Sequence, residues 1–466
     1  MRHSLIFAFA SCLLFFLCSK NPTGPSITEY HKIMKAIMPE VEKTRDLKFL
    51  RDVHFASMSR SQYAASRYSR SSEATDLYSV ELKQLGFIPE DMDNFGQTVD
   101  SYSENFAAAF YVPGTDSIYV INPEKYEEFE FEFYIAHELT HALQDQHFNP
   151  FTSYVHPFVS QSASNSDFYL SQLSVIEGDA GLSSYLYLIN QYSIMTEENL
   201  LESFYDDTER FYQEINNEEG LRFLDITQSF PYFIGDYFVG KMKVAQGWEA
   251  VNKLYHSKRV SSTAEIITGK PVSLISFDFS KLSPVMLEDT RKLRFADDDT
   301  HGPVMLMALI SEYTDVLHCK NAFGWRGDRI FYVLKDKDKY GSFVWTLEFE
   351  TDEDANYMMN AFDKLLSNRR LSNTTPEKVI STNMITFTHP EIYTTLFNLG
   401  TTIIWVENVP NPTVIAELFV SEALAKSSST QENYSTLSKG DKWNLLRHIV
   451  ENQFPLKERL SKCYVN

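Results

Sequence analysis

Apolar positions recur at helical spacing through residues 124–147. Tyr126, Phe129, Phe133 and Ala136 fit one helix face, and the stretch contains no glycine or proline. Its EFEFEF piece alternates with period two and could be read as a strand. The longer helical repeat favours a helix from about 124 to 147, stopped by Asn149-Pro150. Upstream, residues 28–95 read mainly as helices with polar breaks such as SRSS at 69–72. FAAAFYVPGTDSIYVI (106–121) reads as two strands around the turn Pro113-Gly114-Thr115-Asp116. Downstream, residues 167–194 and 197–219 have the pattern of two further helices, with weaker helical segments out to about 268.

After about residue 280 the pattern changes. DRIFYVLKD and SFVWTLEFET are strand-like and separated by a polar turn, and DEDANYMMNAFDKLLSNRR is a capped amphipathic helix. MITFTH, TTLFNLG and TTIIWVENV are strands again. The predicted class is α+β. A mainly helical domain with a small sheet spans 27–280, and a smaller α+β domain spans 281–466. A length of 466 residues fits two or three domains.

The first residues carry a different signal. Arg2 precedes LIFAFASCLLFFL, an apolar run of about thirteen residues, too short to cross a membrane as a helix. It reads as an export signal over residues 1–18, followed by a polar linker over 19–26. Cys18 stands where a bacterial lipoprotein signal is cut and lipidated, although Leu17 replaces the small residue usual before that cysteine. The expectation is an exported protein of the bacterial cell envelope, in the periplasm or at the cell surface, tethered to the membrane through an N-terminal lipid. Cys319 and Cys463 are the only cysteines beyond the signal, so one disulfide or two free thiols are open. The formal charge of −21 is spread along the chain and shows no basic patch, which argues against a nucleic-acid partner.

The candidate chemistry lies in HELTHALQDQHF, residues 137–148. Four residues of helix turn a side chain by about 400°, so His137 and His141 lie about 40° apart and one turn along, where both can reach one ion. Glu138 projects beside them, placed to take a proton from a metal-bound water. Zinc is the expected ion, since imidazoles and a carboxylate suit it. A catalytic zinc takes three protein ligands, and two residues compete for third place. His147 has the spacing of the HExxHxxGxxH pattern, but Gln144 replaces the glycine whose left-handed turn would swing it back. Its alternative reading is a helix-end residue. Glu177, in QLSVIEGDAGL, lies 36 residues after His141, on a second predicted helix with a small, apolar side. Glu177 and Asp179 would be out of place there without partners. Glu177 is the favoured ligand. Asp179 is a candidate to orient a ligand histidine through its other ring nitrogen, with Asp145 a weaker one. Tyr232, Tyr237 and His256 lie in a region suited to an oxyanion donor.

HELTHALQD resembles the zinc helix of thermolysin-like proteases, and HExxH with a downstream Glu is the gluzincin arrangement. More closely, AHELTHALQDQHF followed by VIEGDA is similar to a group of bacterial lipoproteins and secreted proteins with a neutral zinc metallopeptidase-like domain. The blocks at 45–55, 82–95, 110–120, 230–239, 247–255, 261–269 and 324–329 extend that similarity over about residues 40–365. The resemblance implies zinc-dependent hydrolysis of a peptide or protein substrate, with Glu138 as base. Two departures stand out. Gly181 takes the place of an Asp four residues after the ligand Glu, and Pro303 that of a Glu after Asp-Thr-x-Gly. The rival expectation is a non-catalytic metal-binding surface lipoprotein that acts as a binding or envelope-assembly module. The tripeptide Arg326-Gly327-Asp328 matches an adhesion motif, but its surroundings read as the start of a strand.

Overall fold

The structure is a computed structural model that describes residues 27–67, 73–153, 165–215, 221–257, 259–275, 293–369, 374–381 and 383–409, with the single positions 277 and 286. The export signal, the linker, Cys18 and Cys463 lie outside the described residues. The chain is α+β, as its pattern predicts. It runs α1 (Ile27–Arg45), β1 (His54–Met58), α2 (Arg60–Arg67), α3 (Glu73–Leu85), α4 (Phe95–Phe106), β2 (Ala109–Val112), β3 (Ser117–Ile121), α5 (Glu128–Phe148), α6 (Pro150–Ser153), α7 (Ser166–Tyr192), α8 (Glu197–Ile215), α9 (Arg222–Gln246), α10 (Trp248–Leu254) and α11 (Thr263–Thr268). Then follow β4 (Leu293–Asp299), α12 (Gly302–Ile310), α13 (Val316–Lys320), β5 (Trp325–Lys335), β6 (Ser342–Phe349), α14 (Asp352–Asn368), β7 (Glu377–Ser381), β8 (Met384–Thr388), β9 (Tyr393–Leu399) and β10 (Thr402–Glu407). Among the described residues no helix is long and apolar enough to cross a membrane.

The small sheet has the order β1-β3-β2, with β1 parallel and β2 antiparallel to β3. One face buries Phe55, Tyr111, Ile118 and Val120 against Tyr30, Met34 and Ile37 of α1 and Phe131, Ile135 and Leu139 of α5. The large sheet is antiparallel, in the order β4-β5-β6-β10-β9-β8-β7. Alternation sorts its side chains. Tyr332, Phe343, Trp345 and Trp405 join the main core, while Phe331, Val333, Val344 and Val406 face a smaller cluster on the other side. The main core is continuous from Leu77 of α3 through the helices to Trp405, so the sheet and the helical body share apolar packing. Among the described residues, several elements escape the sequence pattern, including β1, β4, β7, α12 and α13. β1 carries polar residues on its partly exposed face, β7 is exposed along its length, and α12 is buried on every side and so shows no period.

Polar contacts tie the helical body to the sheet. Asp328 accepts from the backbone N–H groups of His301 (3.0 Å) and Gly302 (2.8 Å) and from the indoles of Trp325 (3.1 Å) and Trp345 (2.8 Å). The Arg-Gly-Asp tripeptide is thus a fold element whose aspartate is buried. Beside it Asp299 accepts from Ser166 at the start of α7. Asp167 accepts from the backbone and hydroxyl of Thr263. A Cβ on Gly302, whose φ is +72°, would lie 2.1 Å from Asp167 Oδ1, so only glycine fits.

Burial raises the pKa of both Asp167 and Asp299 to about 7, against the lowering effect of these hydrogen bonds. Acids raised in the fold stabilise it fully below their unfolded pKa, and lose that contribution as pH rises through the folded value. The expected outcome is a thermal midpoint that falls between about pH 4 and pH 7 or just above, with a shallower slope in Asp167→Asn. Calorimetry across that range checks it.

Candidate metal centre

The centre is built where α5 crosses α7. α5 begins at Glu127, whose side chain and that of Glu130 form a reciprocal capping box. It ends at Asn149, which takes the left-handed conformation (φ 48°, ψ 46°) before Pro150. Gln144 therefore continues the helix, and no turn occurs at the place where glycine would have made one. α7 is opened by Asn165, whose side chain accepts the Phe168 N–H at 2.8 Å. A second crossing fixes α7 from behind. A Cβ on Gly178 would stand 2.3 Å from the Gly235 carbonyl oxygen, and one on Gly235 would stand 2.4 Å from the Ser174 carbonyl oxygen. α7 and α9 thus touch backbone to backbone, and Glu177 is turned toward α5.

Glu177 meets both histidines. His137 Nε2 lies 3.2 Å and His141 Nε2 3.4 Å from Glu177 Oε2, and the two ring nitrogens are 3.1 Å apart. Around a tetrahedral ion at zinc's usual bond lengths, neighbouring donors stand about 3.4 Å apart. The three side chains fit one ion, and they form the one group of three or more such donors among the described residues that could hold a metal. The same crowding shows in their charges. Burial would raise the Glu177 pKa, yet the two imidazoles hold it well below the usual carboxylate range. Burial would lower that of His141, but Glu177 above all holds it up at about 9.

Glu138 lies beside the triad, buried, and accepts the backbone N–H of Tyr111 on β2. Burial raises its pKa, and the two histidines oppose the rise. Tyr232 of α9 lies near His137, the rings 6.3 Å apart between centroids. Its face is 46% exposed, yet its hydroxyl is hydrogen-bonded to Glu177. That carboxylate first, then burial, then Glu138, push the phenol well above its usual pKa. Of the three oxyanion candidates, the structure brings only Tyr232 to the centre. Tyr237 packs on Tyr205 and under Lys241, and His256 packs on Phe148. His147 meets the Lys48 carbonyl at 2.7 Å in the last turn of α5 and takes no part in the triad.

The expectation for Asp179 needs correction. It does not orient a histidine directly. It pairs with Arg45 (2.7 and 3.1 Å) and accepts from Tyr255 (2.8 Å) and Gln144 (3.1 Å). Gln144 stands between, with its Oε1 2.9 Å from His141 Nδ1. The contact with His141 Nδ1 is made by Gln144, one turn on, in place of the carboxylate. Asp145 binds the β2–β3 hairpin instead, accepting from the Tyr111 hydroxyl (2.7 Å) and the Gly114 N–H (2.9 Å). The Gly181 departure also has a physical reason. A Cβ there would lie 2.2 Å from Asp236 Oδ1, so a buried acid from α9 fills the space beside α7. Sequence reading missed Gln144, Arg45 and Asp236. Only Gln144 left a signal, its three-residue spacing from His141 on one helix.

No protein-family profile matches the chain, and no curated protein is significantly similar to it. One solved structure, a suggested hydrolase with a novel fold from Chloroflexus aurantiacus, overlaps 56% of this chain and 93% of its own. The identity is 15% and the TM-score 0.33, an overlap too loose to fix either fold or chemistry.

Gly178→Ala forces a methyl group into the Gly235 carbonyl, and backbone yields less than side chain. The expected cost is about 1–3 kcal/mol, with Glu177 carried off the triad. Denaturant melts of the variant check the cost, and metal titration against wild type checks the displacement.

Proposed function

We propose that the chain is a zinc-dependent hydrolase of peptide bonds, of gluzincin type, held at the bacterial envelope by a lipid on Cys18. The observation that carries the chemistry is the triangle of donors from His137, His141 and Glu177 with a buried carboxylate beside it. Two imidazoles and a carboxylate suit zinc, and three ligands leave a tetrahedral ion one open position. Bound there, zinc would supply Lewis acidity and an acidified water. Glu138 would take the proton released at the open position and return it to the leaving amine, and its buried carboxylate beside the triad is placed for both duties. The Tyr232 hydroxyl would donate to the charge that develops on the carbonyl oxygen, a contribution on the order of 3 kcal/mol. Peptide is named as substrate because the zinc helix resembles that of thermolysin-like proteases. The rival, a binding-only centre, has no use for Glu138.

Two measurements test the chemistry. Elemental analysis should find about one zinc per chain, lost in Glu177→Ala and kept in His147→Ala; loss with His147→Ala instead would overturn the ligand set. Glu138→Gln should keep the zinc and lower cleavage of unfolded protein substrates by at least about 10²-fold. Unchanged cleavage would remove Glu138 from its role.

Export and anchoring are supported by the apolar run before Cys18. The expected outcome is that the protein fractionates with membranes and that Cys18→Ala releases it. A Cys18→Ala protein that stays with the membranes would argue for an uncleaved anchor.

A further inference from the structure

We infer that Gln144 is the positioning residue of the centre: its amide fixes which nitrogen of His141 is free to bind a metal. The inference rests on reading the triad as a metal centre and adds a residue to it. The amide is a link with two distinguishable ends. One end faces the Ile176 carbonyl oxygen at 3.0 Å and the Asp179 carboxylate at 3.1 Å. Neither group has a hydrogen to give: the carbonyl never has one, and the carboxylate is paired with Arg45 and already accepts from Tyr255. The Gln144 nitrogen must therefore lie on that side, where it has two acceptors for its two hydrogens. Its oxygen is left facing His141 Nδ1 at 2.9 Å. An oxygen there accepts, so Nδ1 carries the hydrogen whenever the ring is neutral. The lone pair is then on Nε2, directed into the space shared with His137 Nε2 and Glu177 Oε2.

Gln144, His141, Ile176, Asp179, Arg45 and Tyr255 are all buried, so water does not compete for these bonds. The far end is anchored in a third helix, because Arg45 of α1 grips Asp179 and also Asn252 at 2.7 Å. Gln144 is thus held from α1 and α7 while it holds a ligand on α5. An outer partner of this kind affects metal affinity by about 10–100-fold.

The test uses the full chain with zinc alone as probe, in competition with a chelator, and compares Gln144→Met with Gln144→Glu. The first removes both hydrogen-bonding ends. The second restores an acceptor for His141 but sets a carboxylate beside Asp179. Positioning predicts that Gln144→Met weakens zinc binding by about 10–100-fold and that Gln144→Glu binds more tightly than Gln144→Met. A packing role alone predicts the reverse order. A spectroscopic readout runs beside it. In the cobalt-substituted protein, the paramagnetically shifted His141 Nδ1–H resonance should exchange slowly with water in wild type and Gln144→Glu, and fast in Gln144→Met. Should Gln144→Met not fold, slow exchange in wild type with affinity retained in Gln144→Glu supports the inference, and fast exchange in both overturns it. Equal affinity in all three proteins, or Gln144→Met above Gln144→Glu, overturns it while leaving the metal centre in place. A wild type that takes up no zinc overturns both.

Discussion

Glu177 reaches His137 and His141 because α7 is pressed against α9 without side chains between them. At Gly178 and Gly235 the two backbones meet at a spacing that admits no methyl group. Any larger residue would hold the helices apart by ångströms, and ligand geometry tolerates far less. Once α7 is seated there, its opposite side lies against α5, and the carboxylate falls within 3.4 Å of both imidazole nitrogens. The small residues of this helix thus contribute to the centre without touching it.

The centre concentrates cost. Three donors point at one another at 3.1–3.4 Å, and two further acids, Glu138 and Asp236, are buried close by with raised pKa values. Among the described residues Asp236 Oδ1 has no hydrogen-bond partner. Such an arrangement does not stabilise a fold, since buried unpaired polar atoms each cost on the order of 1–3 kcal/mol. The surrounding structure offsets it with the apolar packing of α5 against the small sheet. Perturbed acids gathered around a donor triangle mark a candidate functional site.

Three successive residues show how closely the helix is tied to its surroundings. Gln144 holds His141 and reaches α7, Asp145 holds the β2–β3 hairpin, and Gln146 binds the backbone of Leu50 and Arg51 ahead of β1. The segment after HExxH therefore fixes three directions around the centre. In particular it brings β2 to Glu138, whose carboxylate accepts the Tyr111 N–H. A short polar stretch that looks like an ordinary helix end is the hub that sets Glu138, His141 and the hairpin relative to one another.

What the sequence determined by itself is local and periodic. The helical repeat of α5 placed His137, Glu138 and His141 on one face, because 3.6 residues per turn is a property of the backbone alone. Strand-like runs marked β5, β6, β8, β9 and β10, and the turn at Pro113-Gly114 marked the first hairpin. Glu177 was legible as a carboxylate without reason in a small, apolar helix. Tertiary structure decided the rest. That Asp179 acts through Gln144, that Asp236 fills the space beside Gly181, and that Tyr232 rather than Tyr237 or His256 stands at the centre all depend on helix crossings. Those crossings are set by which surfaces interdigitate across 35 to 95 residues of chain, and no single segment records that. The same reason hid α12, whose burial on all sides erased the period by which a helix is read.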